Sequence, residues 1–441
     1  VNLSGNLAAV SERDLDEDGT LNIFDTHMKR TSAVSTGRFH TCAILEGGSP
    51  YCWGDNTYGQ LGNTSLAWPI TTSHTPLAVD IPSGRYATAV SAENSMKHTC
   101  AILDNGSLYC WGGNNRKQLG DGTSTDRTTP VAVNLPAGRT ATAVFLGELH
   151  TCSILDDGSV YCWGAGTDGQ LGDGNTTNSR SILGPVSLPI GRTATSITSG
   201  TYHTCAVLDN ASLYCWGNNA LGQLGDGTTT TRSTPVAVSL PSGRTAVDAY
   251  AGAYHTCVIL DDDSMYCWGR NNYGQLGDGT TTHTHTPVAT NLPAGRTATM
   301  VSGGEYSTCA ILDNASLYCW GQNFWGQLGD GTTTDRTTPV AASLPAGRTA
   351  TSVSAGGGVH TCAILDDATL YCWGYNYYGE LGVGTTTESQ AGASISSTPM
   401  QVNLPDLDSD GDGVEDTNDD YLNNPARSIN CPAGSYGRYV C

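Results

Sequence analysis

The sequence predicts an all-β repeat protein, a propeller or a solenoid, on three observations. A unit of about fifty residues, each a few short strands, is written seven times. Every copy holds two cysteines ten positions apart, most clearly in HTCAILDNGSLYCWG at 98–112. Glycine is abundant, 55 of 441 residues, and charged residues make up only 14%, a composition that suits short strands joined by tight turns. The copies run almost without a break over 30–405. One repeat domain is expected there, with an N-terminal extension at 1–29 and an acidic segment at 406–441.

The extension opens on Val1 with no basic and apolar leader, and is read as the start of a mature or excised segment. Its string D-L-D-E-D-G-T-L-N-I-F-D puts Asp14, Asp16, Asp18, Thr20, Asn22 and Asp25 at positions 1, 3, 5, 7, 9 and 12 of an EF-hand-type loop. Gly19 sits at position 6, where the loop turns sharply. Such spacing wraps oxygen ligands around one point, as calcium requires. The string resembles the calcium loop of dockerin domains. A solvated acidic linker is the competing reading.

Within a copy four strands are expected, at 130–136, 141–144, 152–155 and 160–163 in the clearest case. Prolines bound the first and forbid helix there. The last two are joined by Asp156-Asp157-Gly158, the length of a type I turn closed by a left-handed residue. Counting outward from that turn sets Cys152 opposite Cys162, where facing Cβ atoms approach closely enough for a disulfide. The same register pairs Cys42 with Cys52, Cys100 with Cys110 and Cys205 with Cys215. It also pairs Cys257 with Cys267, Cys309 with Cys319 and Cys362 with Cys372. Gly48 and Gly106 occupy the left-handed position in the first two copies, but Ala211, Asp263, Ala315 and Ala368 occupy it in the later ones. Alanine there costs roughly 1 kcal/mol. The cross-link would pin a register that could otherwise slip.

The string H-T-C-A-I-L-x-x-x-S-L-Y-C-W-G-x-N-x-x-G-Q-L-G-D-G resembles the RCC1 repeat, over about 375 residues. The resemblance implies a seven-bladed β-propeller with four strands per blade, of an extracellular prokaryotic type. Trp-Gly recurs at Trp53, Trp111, Trp163, Trp216, Trp268, Trp320 and Trp373, while Gln-Leu-Gly becomes Glu380-Leu381-Gly382 in the last copy. The first copy starts at Arg30 without a proline-bounded strand in front, and the last supplies a surplus one at 399–405. That terminal strand is therefore expected to complete the first blade and close the ring.

Beyond the ring, D-S-D-G-D-G-V-E-D-T-N-D sets Asp408, Asp410, Asp412, the Val414 carbonyl, Asp416 and Asp419 as a second calcium loop around Gly413. It resembles the calcium repeats of thrombospondin type 3. Structural calcium is the one cofactor expected. Cys431 and Cys441 form an eighth pair.

Sixteen cysteines paired by spacing point to an oxidising, extracellular or cell-surface setting. A net charge of −21 argues against a nucleic-acid partner, and no apolar run approaches the roughly 18 residues of a membrane span. His40, His98, His150, His203, His255 and His360 precede the first cysteine of their copies, with Ser307 breaking the series. They are read as strand residues bonded to neighbouring backbone rather than as a metal ring. Arg30, Arg85, Arg139, Arg192, Arg244, Arg296 and Arg348 are read as bridges between blades. No nucleophile–base–acid constellation stands out, and Gly-Asp-Gly-Thr lacks the lysine and helix of a phosphate loop. No enzyme activity is expected.

Function is expected where copies differ. Tyr273, Phe324, Trp325, Tyr375, Tyr377, Tyr378 and Tyr58 follow Trp-Gly in the last three copies and the first, which a closed ring makes consecutive. They are candidates for one binding arc, against the reading that each packs locally. Sequons at Asn2, Asn63, Asn105, Asn175, Asn210 and Asn314, and a threonine run at 228–231, are candidate glycosylation sites. The leading functional expectation is a non-enzymatic binding, adhesive or structural module with a protein or glycan ligand on one face. The alternative is a self-assembling filament subunit (a homo-polymer joined through the terminal segments). An enzyme inhibitor and a nucleotide-exchange factor rank lower.

Overall fold

The computed structural model describes residues 30–66, 71–95, 97–177, 179–384 and 395–405. Both acidic loops, Cys431, Cys441 and the sequon at Asn2 lie outside the described residues. The compact unit carrying the repeats runs Thr31–Asn403. Its described residues form strands β1–β28 in seven four-stranded antiparallel sheets. In the first sheet the strands are β1 (Thr31–Thr36), β2 (His40–Leu45), β3 (Pro50–Asp55) and β4 (Thr72–Ala78), in that order. The other six repeat it, and the first strands of successive sheets neighbour one another around a ring. No helix among the described residues is long and apolar enough to cross a membrane.

The hairpin register is the one the cysteine spacing requires. Cys152 pairs with Cys162 and Leu155 N–H bonds Ser159 O at 2.9 Å. All seven hairpin bridges expected within the blades form, one per blade. Cys42 joins Cys52, Cys100 joins Cys110, Cys152 joins Cys162 and Cys205 joins Cys215. Cys257 joins Cys267, Cys309 joins Cys319 and Cys362 joins Cys372. Their Cα atoms lie close, from 4.0 Å in the 205–215 pair to 4.2 Å in the 152–162 pair. Such closeness marks non-hydrogen-bonded pairs. Ala211, Asp263, Ala315 and Ala368 take the left-handed φ expected of them, 61° to 64°.

The core lies between blades rather than within them. Cys257, Ile259, Met265, Cys267 and Leu276 of the fifth blade pack against Ala298, Val301, Ala310, Leu312 and Trp320 of the sixth. Trp320, like the other six Trp-Gly tryptophans, is fully buried. Each such ring hides roughly 200 Å², on the order of 5 kcal/mol of transfer free energy. A blade alone would expose this surface, so the blades stabilise one another only as a ring.

One expectation is corrected. The terminal strand does not complete the first blade: β28 (Ile395–Gln401) pairs with β27 (Leu370–Tyr375) of the seventh sheet. Each proline-bounded strand is the outer strand of the blade that precedes it, as Tyr109 opposite Ala132 shows in the second blade. The first blade is complete with β4. The ring instead closes by the contacts that join every other pair of blades. His40 Nε2 meets Thr99 Oγ1 of the next blade at 2.9 Å. That hydroxyl donates to Gln60 O at 2.9 Å, and the same carbonyl accepts Trp111 Nε1–H at 2.8 Å. At the seam His360 meets Thr41, while Thr41 and Trp53 donate to Glu380 O.

The histidine expectation changes in detail. The rings bond a threonine hydroxyl of the neighbouring blade, not backbone. Because the hydroxyl proton already goes to the glutamine carbonyl, the imidazole donates from Nε2 and is neutral. Gln-Leu-Gly thereby acquires a purpose: its first residue offers the carbonyl, and its glycine lets the chain pass the indole. At Gly329, φ is 68° and a Cβ would sit 2.6 Å from Trp373 Nε1. The arginine expectation is corrected too. Arg85 pairs with Asp104 at 2.9 Å and Arg139 with Asp157 at 2.7 Å, each within the blade that it leads into.

Candidate functional site: an aromatic face

In an antiparallel four-strand meander the first and third connections emerge at one end and the central hairpin at the other. The loops after Trp-Gly therefore share an end with the short turns that precede each H-T-C. Those loops are held from within. Asp121 of Gly-Asp-Gly-Thr is 3% exposed and paired with Arg127 at 2.7 Å. It also accepts from Thr123 N–H and Asn114 Nδ2, and the burial-opposing bonds hold its carboxyl below the ordinary carboxylate range. Asp226–Arg232 and Asp330–Arg336 repeat the clamp. The phrase unfit for phosphate is a loop lock.

On this frame the structure brings six of the seven predicted aromatics into contact with aromatic neighbours. Phe324 meets Trp325 with ring centroids 4.7 Å apart, and Trp325 reaches across to Tyr375 of the next blade at 4.8 Å. Tyr375 and Tyr377 run stacked at 6.3 Å, and Tyr377 meets Tyr378 at 5.0 Å. Tyr378 then contacts Phe39 of the first blade at 5.4 Å. Tyr273 meets Tyr306 at 5.2 Å, separately from that run. Tyr58 stands apart, with Lys97 Nζ 4.5 Å above its ring.

Sequence reasoning missed a second, inner row. The residue just before H-T-C or S-T-C is Phe39, Tyr202, Tyr254 and Tyr306 in four copies. Tyr254 and Tyr306 stack at 6.4 Å, with Arg270 over both at 5.3 and 4.6 Å. Aligning the copies on histidine would have shown aromatics at this position in four copies, against Lys97, Leu149 and Val359 in the others. The exposed members are Phe324, 62%, and Tyr377, 61%, while the rest are half-buried. Burial, with Glu380 adding, pushes Tyr375 up to about 12. Burial, with Glu305 accepting its hydroxyl, does the same to Tyr306. Both phenols are therefore neutral donors at physiological pH.

Between the third and fourth blades the face opens into a groove of about 500 Å³ lined by Leu149, Asp168, Tyr202, Asn218, Leu221 and Tyr254. That volume lies in the range of small-ligand sites. Asp168 Oδ1 accepts from Asn218 Nδ2 at 2.8 Å across the blade boundary. Asn105, Asn210 and Asn314 are exposed at hairpin tips on the opposite end, each bonding the serine two residues on.

Seven disulfide-pinned blades with one aromatic face define a propeller built to present a surface. Residues 4–359 match the RCC1-like domain, and 350–380 and 367–408 match the RCC1 repeat. The chain belongs to the RCC1-like domain family. It is 30% identical over 369 residues to the ultraviolet-B receptor UVR8 of Arabidopsis thaliana, covering 82% of this chain and 80% of that one. It is 28% identical over 349 residues to human E3 ubiquitin-protein ligase HERC2, 78% of this chain but 7% of the ligase. Among solved structures, human WBSCR16 superposes with a TM-score of 0.66 at 20% identity, over 74% of this chain and 85% of that one. Yeast Prp20p, solved in a study of its binding to Gsp1p and histones, gives 0.63 at 23% identity, over 74% and 80%. At these identities the structures speak to fold alone.

Proposed function

We propose that the protein is a non-enzymatic binding module working outside the cell or at its surface, which engages a protein or glycan partner through the aromatic face. The observation that carries this reading is the run Phe324–Trp325–Tyr375–Tyr377–Tyr378–Phe39. It crosses three consecutive blades and leaves two large rings more than half exposed. Rigid aromatic surface on a locked frame is what recognition sites use, because little side-chain freedom is lost on binding. Seven disulfides support an oxidising setting. Glycans on the hairpin-tip sequons would leave the aromatic face clear. Structural calcium in the two terminal loops belongs to the same reading, as does adhesion.

A glycan array and a panel of purified extracellular-matrix proteins, probed with the full chain and with Phe324→Ala/Tyr377→Ala, test the proposal. Binding that falls about tenfold or more in the variant, at unchanged unfolding temperature, supports it. Equal binding by both chains rejects it. The filament alternative rests on segments outside the described residues, and light scattering at high concentration with calcium decides it: a strict monomer ends it.

A further inference from the structure

The first strands of the seven blades line the propeller axis. Opposite the next-to-last residue of the second strand, six blades carry Ala33, Ala89, Ala143, Ser196, Met300 and Ser352. The fifth blade carries Asp248 there, on β17 (Ala246–Ala251). The second blade departs as well. Seven residues separate Val90 from His98, against five between Val34 and His40. The longer turn holds Glu93 and Asn94, and Asn94 takes a left-handed φ of 54°.

Asn94 reaches across the axis. Its Nδ2 donates to Ser199 O of the fourth blade at 2.7 Å and to Ala251 O of the fifth at 3.0 Å. Its Oδ1 is buried and has no partner, and the buried hydroxyl of Tyr250 lies beside Asn94, close to Ser302 and Gly303. A buried amide oxygen left unpaired is costly unless something occupies the space beside it. Glu93 is half-buried in that turn. Asp248 lies near enough for the two carboxyls to act on one another through their charges. Asp248 Oδ1 accepts from Ala249 N–H at 2.9 Å. Among the described residues no arginine or lysine acts on either carboxyl. Arg38, the cation at the channel mouth, is committed to Glu305 at 3.0 Å.

Two carboxylates, an amide oxygen and a phenol make an all-oxygen donor set. Nitrogen and sulfur ligands, which select zinc or copper, are missing from it. We propose that Glu93, Asp248, the Asn94 amide oxygen and the Tyr250 hydroxyl form an axial site for a hard divalent cation of the calcium class. The ion ties the second blade's insertion to the fifth blade across the ring. It neutralises two carboxylates that otherwise repel, and it gives the orphaned amide oxygen a partner. None of its four residues belongs to either acidic loop or to the aromatic face.

The test is calcium titration of the full chain by calorimetry. It is run with Asp16→Asn and Asp410→Asn in place to silence the terminal loops, with and without Glu93→Gln/Asp248→Asn. The parent should bind one equivalent of calcium and unfold at a higher temperature when calcium is present. The amide variant keeps shape but not charge, and should lose both effects. Tyr250→Phe, which keeps the ring, should weaken calcium binding about tenfold, and decides the matter should the double variant not fold. Two results would overturn the site: no calcium-dependent difference between parent and variants, or a variant stabilised equally with and without calcium. The second would mean that the carboxyls share a proton instead.

Discussion

His360 of the last blade donates Nε2–H to Thr41 Oγ1 of the first at 2.7 Å, and Thr41 passes its own proton to Glu380 O at 2.9 Å. The first and last blades thus meet through the relay that His150 and Thr204 make mid-ring, at 3.1 Å. The seam is an ordinary interface. Thr41→Val leaves a buried imidazole donor unpaired and should cost about 2 kcal/mol. Thr204→Val should cost the same within about 0.5 kcal/mol. Urea denaturation checks this, and a much smaller loss at Thr41 would mean the ring is held closed some other way.

Acid should unfold the ring. Burial lowers His40, His98, His150, His203 and His360 to about 3, and His255 to about 4. The unfolded chain takes up those protons near pH 6.5. Stability is therefore full above that value and lost as pH falls toward the folded values. At pH 5 each histidine removes about 2 kcal/mol. Glu93 and Glu380, raised by burial, work in the opposite sense but are outnumbered. Calorimetry from pH 7 to pH 4 should show a steep fall in unfolding temperature. A flat profile would contradict the neutral relay.

Glu380→Gln should stabilise the protein at neutral pH and not in acid. Glu380 is fully buried where six copies have glutamine, and its Oε1 has no partner while Oε2 accepts Tyr378 N–H at 2.9 Å. Burial raises its carboxyl well above the usual range. Its favourable contribution is present below the unfolded value and lost as pH rises through the folded one. A gain of about 1–2 kcal/mol at pH 7.5 that vanishes by pH 4 is expected in paired denaturation curves.

Ala315→Gly should help rather than harm. Its φ of 61° is a left-handed conformation that glycine adopts freely. The gain should be about 0.5–1 kcal/mol in urea melts. Gly106→Ala, whose Cβ would sit 2.6 Å from Thr140 Cβ, should lose more than that.

The hairpins were legible because cysteine spacing and turn length are local: Cys152 and Cys162 had only one register in which to face. The blade boundary was not. The strand at 130–136 lies between two cysteine pairs, and only its ladder with Tyr109 assigns it to the earlier one. The histidine relay joins residues about one repeat apart, such as His98 and Thr151, and no local pattern announces it. Among aromatics, variability after Trp-Gly led to Phe324 and Tyr377. Phe39 and Tyr254 escaped because their position adjoins the repeating H-T-C phrase and passed as scaffold. Glu93 and Asn94 escaped for the same reason, hidden in a turn whose extra length shows only when the copies are aligned.

Hydroxyl-radical footprinting of the native, partner-bound protein against the purified full chain tests the aromatic face most directly. Phe324, Trp325 and Tyr377 should lose reactivity on engagement, while Tyr86 at the opposite end, 51% exposed, keeps it. Unchanged labelling of those three rings, with protection around Tyr86 instead, would contradict the account.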